Sequence, residues 1–485
     1  MPVLVPVGVA LSAFFATTLG SIVLSVGLSA ASYLINAALT PPINNTPGID
    51  PGVKATLQAD IYAERLIYGR ALVGGRLFFY ECKPPFLYYG LEIASHEIDA
   101  IEQIVINGKT VTFNSLGVVN STNFINSGTP YVYYSVRKGG VGQTLDPLLA
   151  ADFPDLEATF KQQGHACVVV KMYYGADAGD HTKYWGSSLP QCLFLVRGLK
   201  LYDPREPTQN VADNSTWKWS NSPSLAQAHF TTFAKGMNRP WSRIDLATLM
   251  QAATDDGWGV ALASGGFEAR YTCNGVVDTN APPGENLQNL LTSNLGKMIW
   301  SNGFYKLLSG VPRSAVWTLN DDSARGDMEA RTAREHGSLI NIIRTVFVSS
   351  DREYQTVNGP VLTNAAYVAL DGEEHEISIT LPFTSSQTTA QRIAKATMEK
   401  ARLGRHITRR ESIEAVRLEA ADLVNIEVPH LPILGGLFEL NSFKLDHENF
   451  EIEIDAEEYA SNVFAWTVAD EQPFTIAPVN LDGVN

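Results

Sequence analysis

Cysteine is scarce in this chain of 485 residues, which contains only Cys82, Cys167, Cys192 and Cys273. None of them forms a C-x-x-C pair, so the sequence excludes a zinc ribbon and a disulfide framework as the basis of the fold. We expect all four to be reduced and buried, because free cysteine usually packs as a small apolar residue. The nine histidines form no H-E-x-x-H or similar signature. The sequence therefore predicts neither a bound metal nor a cofactor.

Positive charge is also in short supply. The chain contains 36 Lys and Arg residues and 51 Asp and Glu residues, which gives a formal net charge of -15 and a sequence pI near 5.1. A nucleic-acid-binding surface needs clustered Lys and Arg to neutralise phosphates. We therefore expect no specific nucleic-acid binding, although an acidic passage through which DNA merely slides is compatible with this balance.

Charged side chains are absent from residues 2–49, and the sequence predicts a hydrophobic helix over 1–40. A secretory signal would need a basic start, and a membrane anchor would normally carry flanking Lys or Arg. Small or hydroxylated side chains recur every four residues on this helix, followed by Tyr33, at Ala13, Thr17, Ser21, Ser25 and Ser29. Phe14 and Phe15 lie on its other faces. The pattern favours self-association inside an assembly, with membrane anchoring and an ordinary core helix as alternatives.

Catalytic signatures are absent as well. The segment 138–144 resembles a phosphate loop, but Gln143 stands where the lysine that contacts phosphate is required, and 145–147 interrupts the following helix. Carboxylates crowd residues 446–458 and could include a glycosidase pair, but a solvated strand face explains them better. No G-x-S-x-G element occurs. We therefore interpret the chain as a protein that is not an enzyme.

What the chain does contain is strand and turn patterning that predicts an α+β, mainly β, multidomain fold. A Pro/Asn/Gly-rich linker at 41–52 precedes a β-rich domain at 53–205, an α+β domain at 206–310 and a second β-rich region at 311–485.

Individual elements are predicted within these domains. Asn107-Gly108 and Asn302-Gly303 have the residues preferred in two-residue hairpin turns. Helices are expected at 225–233, at 246–253, after Pro283 with Leu287, Leu290, Leu291 and Leu295 on one side, and at 388–403 with Gly404 as the stop.

Several short motifs follow one another in a fixed order along the chain. They are Arg65–Gly75, the 98–108 hairpin, Gly198 to Tyr202-Asp203-Pro204-Arg205, Trp219–Pro223, Thr272-Cys273-Asn274-Gly275, Trp300–Leu308, Gln391–Ala401, Leu423–Val428 and Tyr459–Trp466. This series resembles the J-type tail-hub, or host-specificity, proteins at the tail tip of long-tailed bacteriophages and gene-transfer-agent-like particles. Ser222 departs from the family, which has Asn before this proline.

The resemblance implies a structural tail-hub protein with tube-like β-barrel domains, an α+β hub domain and an N-terminal hydrophobic helix. Such proteins form trimeric collars that close the tail tube and open for DNA ejection. The implied partners are two further copies, distal tail and tail-tube proteins, the tape-measure protein, receptor-binding or fibre proteins, and the host membrane if residues 1–40 insert there. The implied location is the virion tail tip, after assembly in the host cytoplasm.

The chain ends at Asn485, without the long extension with which larger J proteins contact the receptor. We therefore do not assign receptor binding to it. Two other functions remain open at this point: a membrane-anchored bacterial β-rich binding protein, and a tail-associated wall-degrading enzyme.

Overall fold

The computed structural model describes residues 63–175, 184–185, 190–334 and 336–473. The predicted helix at 1–40, its side chains proposed for self-association and the linker at 41–52 lie outside these residues. No helix in the described ranges is both long and apolar enough to cross a bilayer.

The elements of the first β-rich part are β1 (Arg65–Tyr68), β2 (Arg70–Gly74), β3 (Arg76–Lys83), β4 (Phe86–Ala94), β5 (Ala100–Ile106), β6 (Lys109–Val111), β7 (Ile125–Asn126), β8 (Thr129–Pro130), β9 (Val132–Arg137), α1 (Pro147–Asp152), β10 (Ala166–Tyr173), β11 (Cys192–Arg197) and β12 (Lys200–Leu201). They include two four-stranded antiparallel sheets, in the orders β3-β4-β10-β9 and β2-β11-β5-β6.

Strand β10 is buried on both faces, which explains its long apolar run. Because side chains alternate along a strand, Val168 and Val170 enter a core that also contains Ile104 and Phe194 of the other sheet. Val169 points the opposite way and packs with Leu149 of α1. The two sheets therefore share one core, and α1 covers the outer face of the first.

The two predicted hairpin turns are confirmed. Asn107 and Gly108 have φ values of 49° and 75°, and Asn302 and Gly303 have values of 50° and 84°. Both residues of each turn are left-handed, as a two-residue turn between twisted strands requires.

The next part contains both helices and short strands. Its elements are β13 (Lys218–Trp219), α2 (Pro223–Thr232), α3 (Leu246–Asp256), β14 (Gly259–Ala261), β15 (Phe267–Ala269), β16 (Gly275–Asp278), α4 (Pro283–Thr292), β17 (Lys297–Ser301) and β18 (Phe304–Leu308). Strand β1 pairs antiparallel with β16, so the first described strand of the chain joins this part.

One expectation about α4 was wrong. Leu287, Leu290 and Leu291 are buried as predicted, but the helix ends at Thr292 and Leu295 lies beyond it with φ 51°. The Gly296 amide donates to the Leu291 carbonyl (2.9 Å) and so satisfies an acceptor at the end of the helix.

Residues 317–458 contain a six-stranded sheet in the order β19-β26-β27-β28-β25-β20, which forms a half-barrel, and a four-stranded sheet around β21. Helix α6 packs on β21 through Ile343, Ala394 and Met398. The elements are β19 (Trp317–Leu319), β20 (Ala324–Arg331), β21 (Ile342–Ser349), β22 (Gln355–Asn358), β23 (Leu362–Thr363), α5 (Ala365–Asp371), β24 (Glu376–Leu381), α6 (Gln387–Arg402), β25 (His406–Ser412), β26 (Leu423–Ile426), β27 (Gly436–Asp446) and β28 (Glu451–Glu458). The mainly β, α+β fold class is thus confirmed.

Two details of this part differ from expectation. Residues 459–466 form no closing strand; a 3-10 turn spans Ser461–Phe464, and the Tyr459 hydroxyl donates to the Val311 carbonyl (3.1 Å). Helix α6 does not stop at a left-handed Gly404, because Leu403 already leaves the helix in an extended conformation. A Cβ at Gly404 would lie 3.0 Å from the Arg334 nitrogen, so the glycine serves close packing instead.

Candidate functional site: the junction of the sequence motifs

The motif residues converge on the corner between β1 and β2. Gly69 occupies this corner with φ 58°, and a Cβ there would lie 2.1 Å from the Cys273 carbonyl oxygen. Only glycine combines this backbone conformation with so close an approach. We call the convergence of Gly69, Gly198, Trp219 and the 273–275 segment the junction.

Gly198 fits against the same corner from the end of β11. Its amide donates to the Gly69 carbonyl (2.9 Å), and the Leu199 amide donates to the Ile67 carbonyl (2.8 Å). A Cβ on Gly198 would lie 2.0 Å from the Ile67 oxygen. The glycine of this motif is therefore required by packing.

Trp219 closes the junction from β13. Its indole N–H donates to the Gly69 carbonyl at 3.1 Å. The guanidinium groups of Arg70 and Arg197 lie 5.0 Å and 5.3 Å from its ring centre, within the range of cation–π attraction. Arg70 also pairs with Glu102 at 2.8 Å, which fixes it on the ring.

Asn274 connects the junction to the segment between β24 and α6. Its side-chain oxygen accepts from the Arg70 amide (2.9 Å), and its Nδ2 donates to the Ser385 hydroxyl (2.8 Å). Its own amide donates to the Phe383 carbonyl (2.8 Å), and a Cβ on Gly275 would lie 2.8 Å from the Phe383 ring. One side chain thus joins three segments that are distant in sequence.

Cys273 is fully buried, and burial raises the pKa of its thiol well above the ordinary value. A thiol held in this neutral form is a poor nucleophile. Cys167 and Cys192 are buried and free as expected, whereas Cys82 is exposed because it lies near the end of the edge strand β3.

The Tyr202–Arg205 motif belongs to a separate turn. Asp203 accepts from the Arg205 side chain at 2.7 and 2.9 Å, so the two residues close the turn locally. Tyr202 packs edge-on against Trp241, with ring centres 5.4 Å apart, and beside Trp217. The structure therefore places Gly198, Trp219, Cys273, Asn274 and Gly275 together but leaves residues 202–205 to stabilise their own turn.

A buried carboxylate that sequence reasoning missed organises the helices next to the junction. Asp256 is 1% exposed and accepts from the Ser224 amide (2.9 Å), the Ser222 hydroxyl (3.0 Å), the Asn294 amide group (3.0 Å) and the Ser309 hydroxyl (2.7 Å). Burial raises the pKa of Asp256, and these donors offset part of that rise. No local sequence signal marks it, because its partners come from three separate segments, at 222–224, 294 and 309.

A second missed group joins β17 to β27. Glu439 accepts from Lys297 (2.7 Å) and Arg313 (2.8 Å). Burial alone would raise the pKa of this carboxyl, but the two cations together with Lys400 lower it to about 2. Glu439 is therefore a charged structural link.

The enzyme-like motifs have structural roles. Gln143 is buried, accepts from the Gly139 amide (2.7 Å) and donates to the Gln162 carbonyl (2.7 Å), so it ties two loops together. No helix starts directly after 138–144: residues 143–146 are not helical, as expected, and the short helix α1 begins only at Pro147, where Asp146 caps it through the Leu148 amide (3.0 Å).

Several acidic residues of β28 lie beside cations in, or directly before, the neighbouring strand β25. Asp455 lies 2.9 Å from His406, Glu458 lies 2.7 Å from Arg405, and Glu453 lies 3.8 Å from Arg410. Part of the expected solvated face therefore consists of cross-strand ion pairs.

Comparison with known proteins was made on sequence and on fold. Residues 283–435 match the profile of a family described as "Putative phage tail protein". No curated protein sequence matches the chain. The fold is similar to that of a chain in the "Virion of native gene transfer agent (GTA) particle", with 14% identity, a TM-score of 0.61, and coverage of 96% of this chain and 98% of that chain.

Two prophage proteins are more distant. The 43 kDa tail protein of prophage MuSo2 from Shewanella oneidensis has 10% identity over 83% of this chain and 98% of that chain, with a TM-score of 0.29. Prophage tail protein gp18 from Listeria monocytogenes EGD-e has 8% identity over 82% and 95%, with a TM-score of 0.26. These two scores are too low to indicate a shared fold. The family match at residues 283–435, on a chain whose fold is like that of a gene transfer agent virion protein, supports a phage tail protein.

Proposed function

We propose that the chain is a structural hub subunit at the tail tip of a long-tailed phage or phage-like particle. The observation that carries the proposal is the match of residues 283–435 to a phage tail protein family. That segment begins at α4 and ends just before β27, so it includes helix α6 and four of the six strands of the six-stranded sheet, β19, β20, β25 and β26. The J-type motif series extends the resemblance to the first β-rich part.

The role of the motif residues supports a structural function rather than a catalytic one. Gly198 packs against the Ile67 carbonyl, Trp219 donates to the Gly69 carbonyl, and Asn274 accepts from the Arg70 amide. All three motif residues therefore contact backbone groups of the same chain. Nothing in these contacts activates a nucleophile or positions a proton donor. A rigid junction of distant segments is what a subunit under mechanical load requires.

In this proposal three copies form a collar that closes the tail tube, contacts tail-tube and tape-measure proteins, and opens for DNA ejection. Receptor-binding or fibre proteins would attach to the collar. Residues 1–40 would gather on its axis or enter the host membrane. The net charge of -15 suits a wall past which DNA moves without adhering.

The decisive experiment uses purified particles. Gold-labelled antibody against this chain should decorate the distal end of the tail. Quantitative mass spectrometry should give three copies of this chain per tail tip, where one ring of the tail tube contains six subunits. Antibody against a head protein serves as the control for position. Absence from the distal end, or six copies per tip, would contradict the hub assignment.

Two further measurements separate the other functions. Membranes from cells that express the full chain alone should release it on carbonate washing. Retention, together with absence of the chain from purified particles, would favour the membrane-anchored binding protein. The purified chain should release no soluble fragments from peptidoglycan, and such release would favour a wall-degrading enzyme.

A further inference from the structure

Three side chains with metal-ligand chemistry meet at the surface where the chain enters β24. His336 lies on a 3-10 turn, and Glu373 and His375 lie on the loop between α5 and β24. The carboxylate oxygen of Glu373 is 3.4 Å from Nδ1 of His336 and 3.6 Å from Nε2 of His375. The ligand atoms of all three residues lie within 4.8 Å of one another.

The two separations from the Glu373 oxygen, 3.4 Å and 3.6 Å, fit coordination of one small cation, and the two ring nitrogens lie within 4.8 Å of each other. Zinc binds imidazole nitrogen and carboxylate oxygen at about 2.0–2.2 Å in tetrahedral geometry, which places neighbouring ligand atoms roughly 3.3–3.6 Å apart. Two imidazoles with one carboxylate also suit zinc far better than calcium or magnesium, which prefer oxygen ligands alone. The three residues would occupy three of the four positions.

One ring nitrogen of each histidine is available to a cation. Nε2 of His336 lies 3.1 Å from the Asp371 carbonyl oxygen, to which only an N–H can donate. That tautomer leaves the lone pair of Nδ1 directed toward Glu373. Nε2 of His375 is buried and has no hydrogen-bond partner among the described residues. Such an unsatisfied nitrogen costs free energy unless a ligand binds it.

A buried asparagine holds the loop that carries two of the ligands. Asn341 is 0% exposed; its Nδ2 donates to the Asp371 carboxylate and to the Glu373 carbonyl (both 2.9 Å), and its Oδ1 accepts from the His375 amide (2.7 Å). Arg402 of α6 binds both oxygens of Asp371 at 2.7 and 2.8 Å. Hydrogen bonds from Asn341 and the pairing of Arg402 with Asp371 therefore hold the ligand loop in position, as outer-shell partners do in protein metal sites.

We propose that His336, Glu373 and His375 form a binding site for zinc or a similar divalent transition-metal cation. The fourth position is open to water or to a group of another molecule, because His336 and Glu373 are more than half exposed. A bound ion would cross-link the turn at 336 to the start of β24. The proposal does not depend on the proposed tail function.

The test uses the full chain, freed of metal with a chelator and titrated with zinc chloride by calorimetry. We expect one zinc per chain. His336→Gln and Glu373→Gln should each weaken binding by more than about 100-fold, because the loss of an outer-shell partner alone costs about 10-fold to 100-fold. His447→Gln removes an exposed histidine outside the site and should leave the affinity unchanged. Cobalt bound to the wild-type chain should give the intense visible absorption of a tetrahedral site, and both ligand variants should lose it.

The alternative outcomes overturn the proposal. A wild-type chain that takes up no zinc would disprove the site. A wild-type chain that binds zinc no more tightly than the His336→Gln variant would show only adventitious binding. Displacement of zinc by millimolar magnesium would show that the site is not selective for transition metals. Circular dichroism of each variant checks that the fold is retained. We expect it to be retained, because the side chains replaced in His336→Gln and Glu373→Gln are more than half exposed.

Discussion

Backbone segments in the junction approach so closely that side chains are excluded at two points, Gly69 and Gly198. The carbonyl of Gly69 accepts from both the Gly198 amide and the Trp219 indole, so one oxygen serves two of the motifs. A backbone oxygen cannot move without displacing the backbone around it. The packing of the junction therefore does not tolerate added volume.

Gly198→Ala should therefore destabilise the protein by about 2–3 kcal/mol, since the new Cβ would overlap the Ile67 carbonyl and push β1 away. The midpoint of urea unfolding should fall accordingly. Gly142→Ala is the matched control, because no atom lies within 4 Å of a Cβ there. Equal midpoints for the two variants would refute the packing role of Gly198.

His96 gives stability a pH dependence. Its Nε2 accepts from the Ile67 amide (2.9 Å), its Nδ1 donates to the Glu97 carbonyl (2.8 Å), and burial lowers its pKa to about 4. Between pH 4 and about 6.5 the unfolded chain binds more protons than the folded one. The stability contributed by neutral His96 is therefore complete above pH 6.5 and is lost as pH falls toward 4.

His96→Gln keeps an acceptor near the Ile67 amide but cannot titrate. On going from pH 7 to pH 5, we expect the wild type to lose about 1–2 kcal/mol more stability than the variant. Other titrating groups, such as His165, are common to both proteins and cancel. Thermal unfolding of the two proteins at both pH values measures the difference, and parallel losses would disprove the assignment.

At the scale of elements, α2 and α3 are joined through their ends. Ser222 caps α2, Asp245 caps α3 by accepting from the Ala247 and Thr248 amides, and Asp256 at the last residue of α3 returns to the start of α2. A carboxylate at a helix N-terminus is favoured by the unpaired amides there. Asp256 thereby fixes the angle between two helices that support the junction.

Asp256→Asn should destabilise the protein by about 2–3 kcal/mol, because the amide nitrogen would face donors and leave at least one buried group unpaired. Asp255→Asn is the control on the same helix; its half-buried carboxylate accepts from Gln251 (2.9 Å), and its replacement should cost less than about 1 kcal/mol. Urea unfolding monitored by circular dichroism compares them. A smaller loss for Asp256→Asn than for Asp255→Asn would contradict the proposed network.

At the scale of the molecule, polar links connect the α+β part to the last β-rich part. Glu439 pairs with Lys297 and Arg313, Arg392 pairs with Glu268 at 2.7 Å, and Asn274 reaches Ser385. Buried pairs of this kind specify orientation more than they add stability. The parts are therefore held in a defined arrangement through paired charges as well as apolar packing.

The acidic balance of the whole molecule predicts that it does not retain DNA. Fluorescence anisotropy with a labelled duplex at physiological salt should show no binding by the full chain, since a net charge of -15 repels phosphates. A basic DNA-binding protein assayed in parallel shows that the assay works. Saturable, salt-dependent binding would disprove the absence of a nucleic-acid surface.

Local features were predictable from sequence because each depends on neighbouring residues. The Asn-Gly turns, the apolar run of β10 and helix α6 were all expected, to within a few residues. The wrong predictions concern segments whose conformation depends on contacts with other parts of the chain. Leu295 is left-handed instead of helical, and the segment after Tyr459 is not a strand, since the Tyr459 hydroxyl donates to the Val311 carbonyl.

The sequence by itself therefore determined the mainly β, α+β class, the individual turns and helices, and the acidic character of the molecule. Tertiary structure alone decided that β1 pairs with β16, that Asp256 finds donors from three segments, and that His336 meets Glu373 and His375. The physical reason is separation along the chain. Patterns of turn, cap and alternation act over a few residues, whereas these contacts form only after the whole chain has folded.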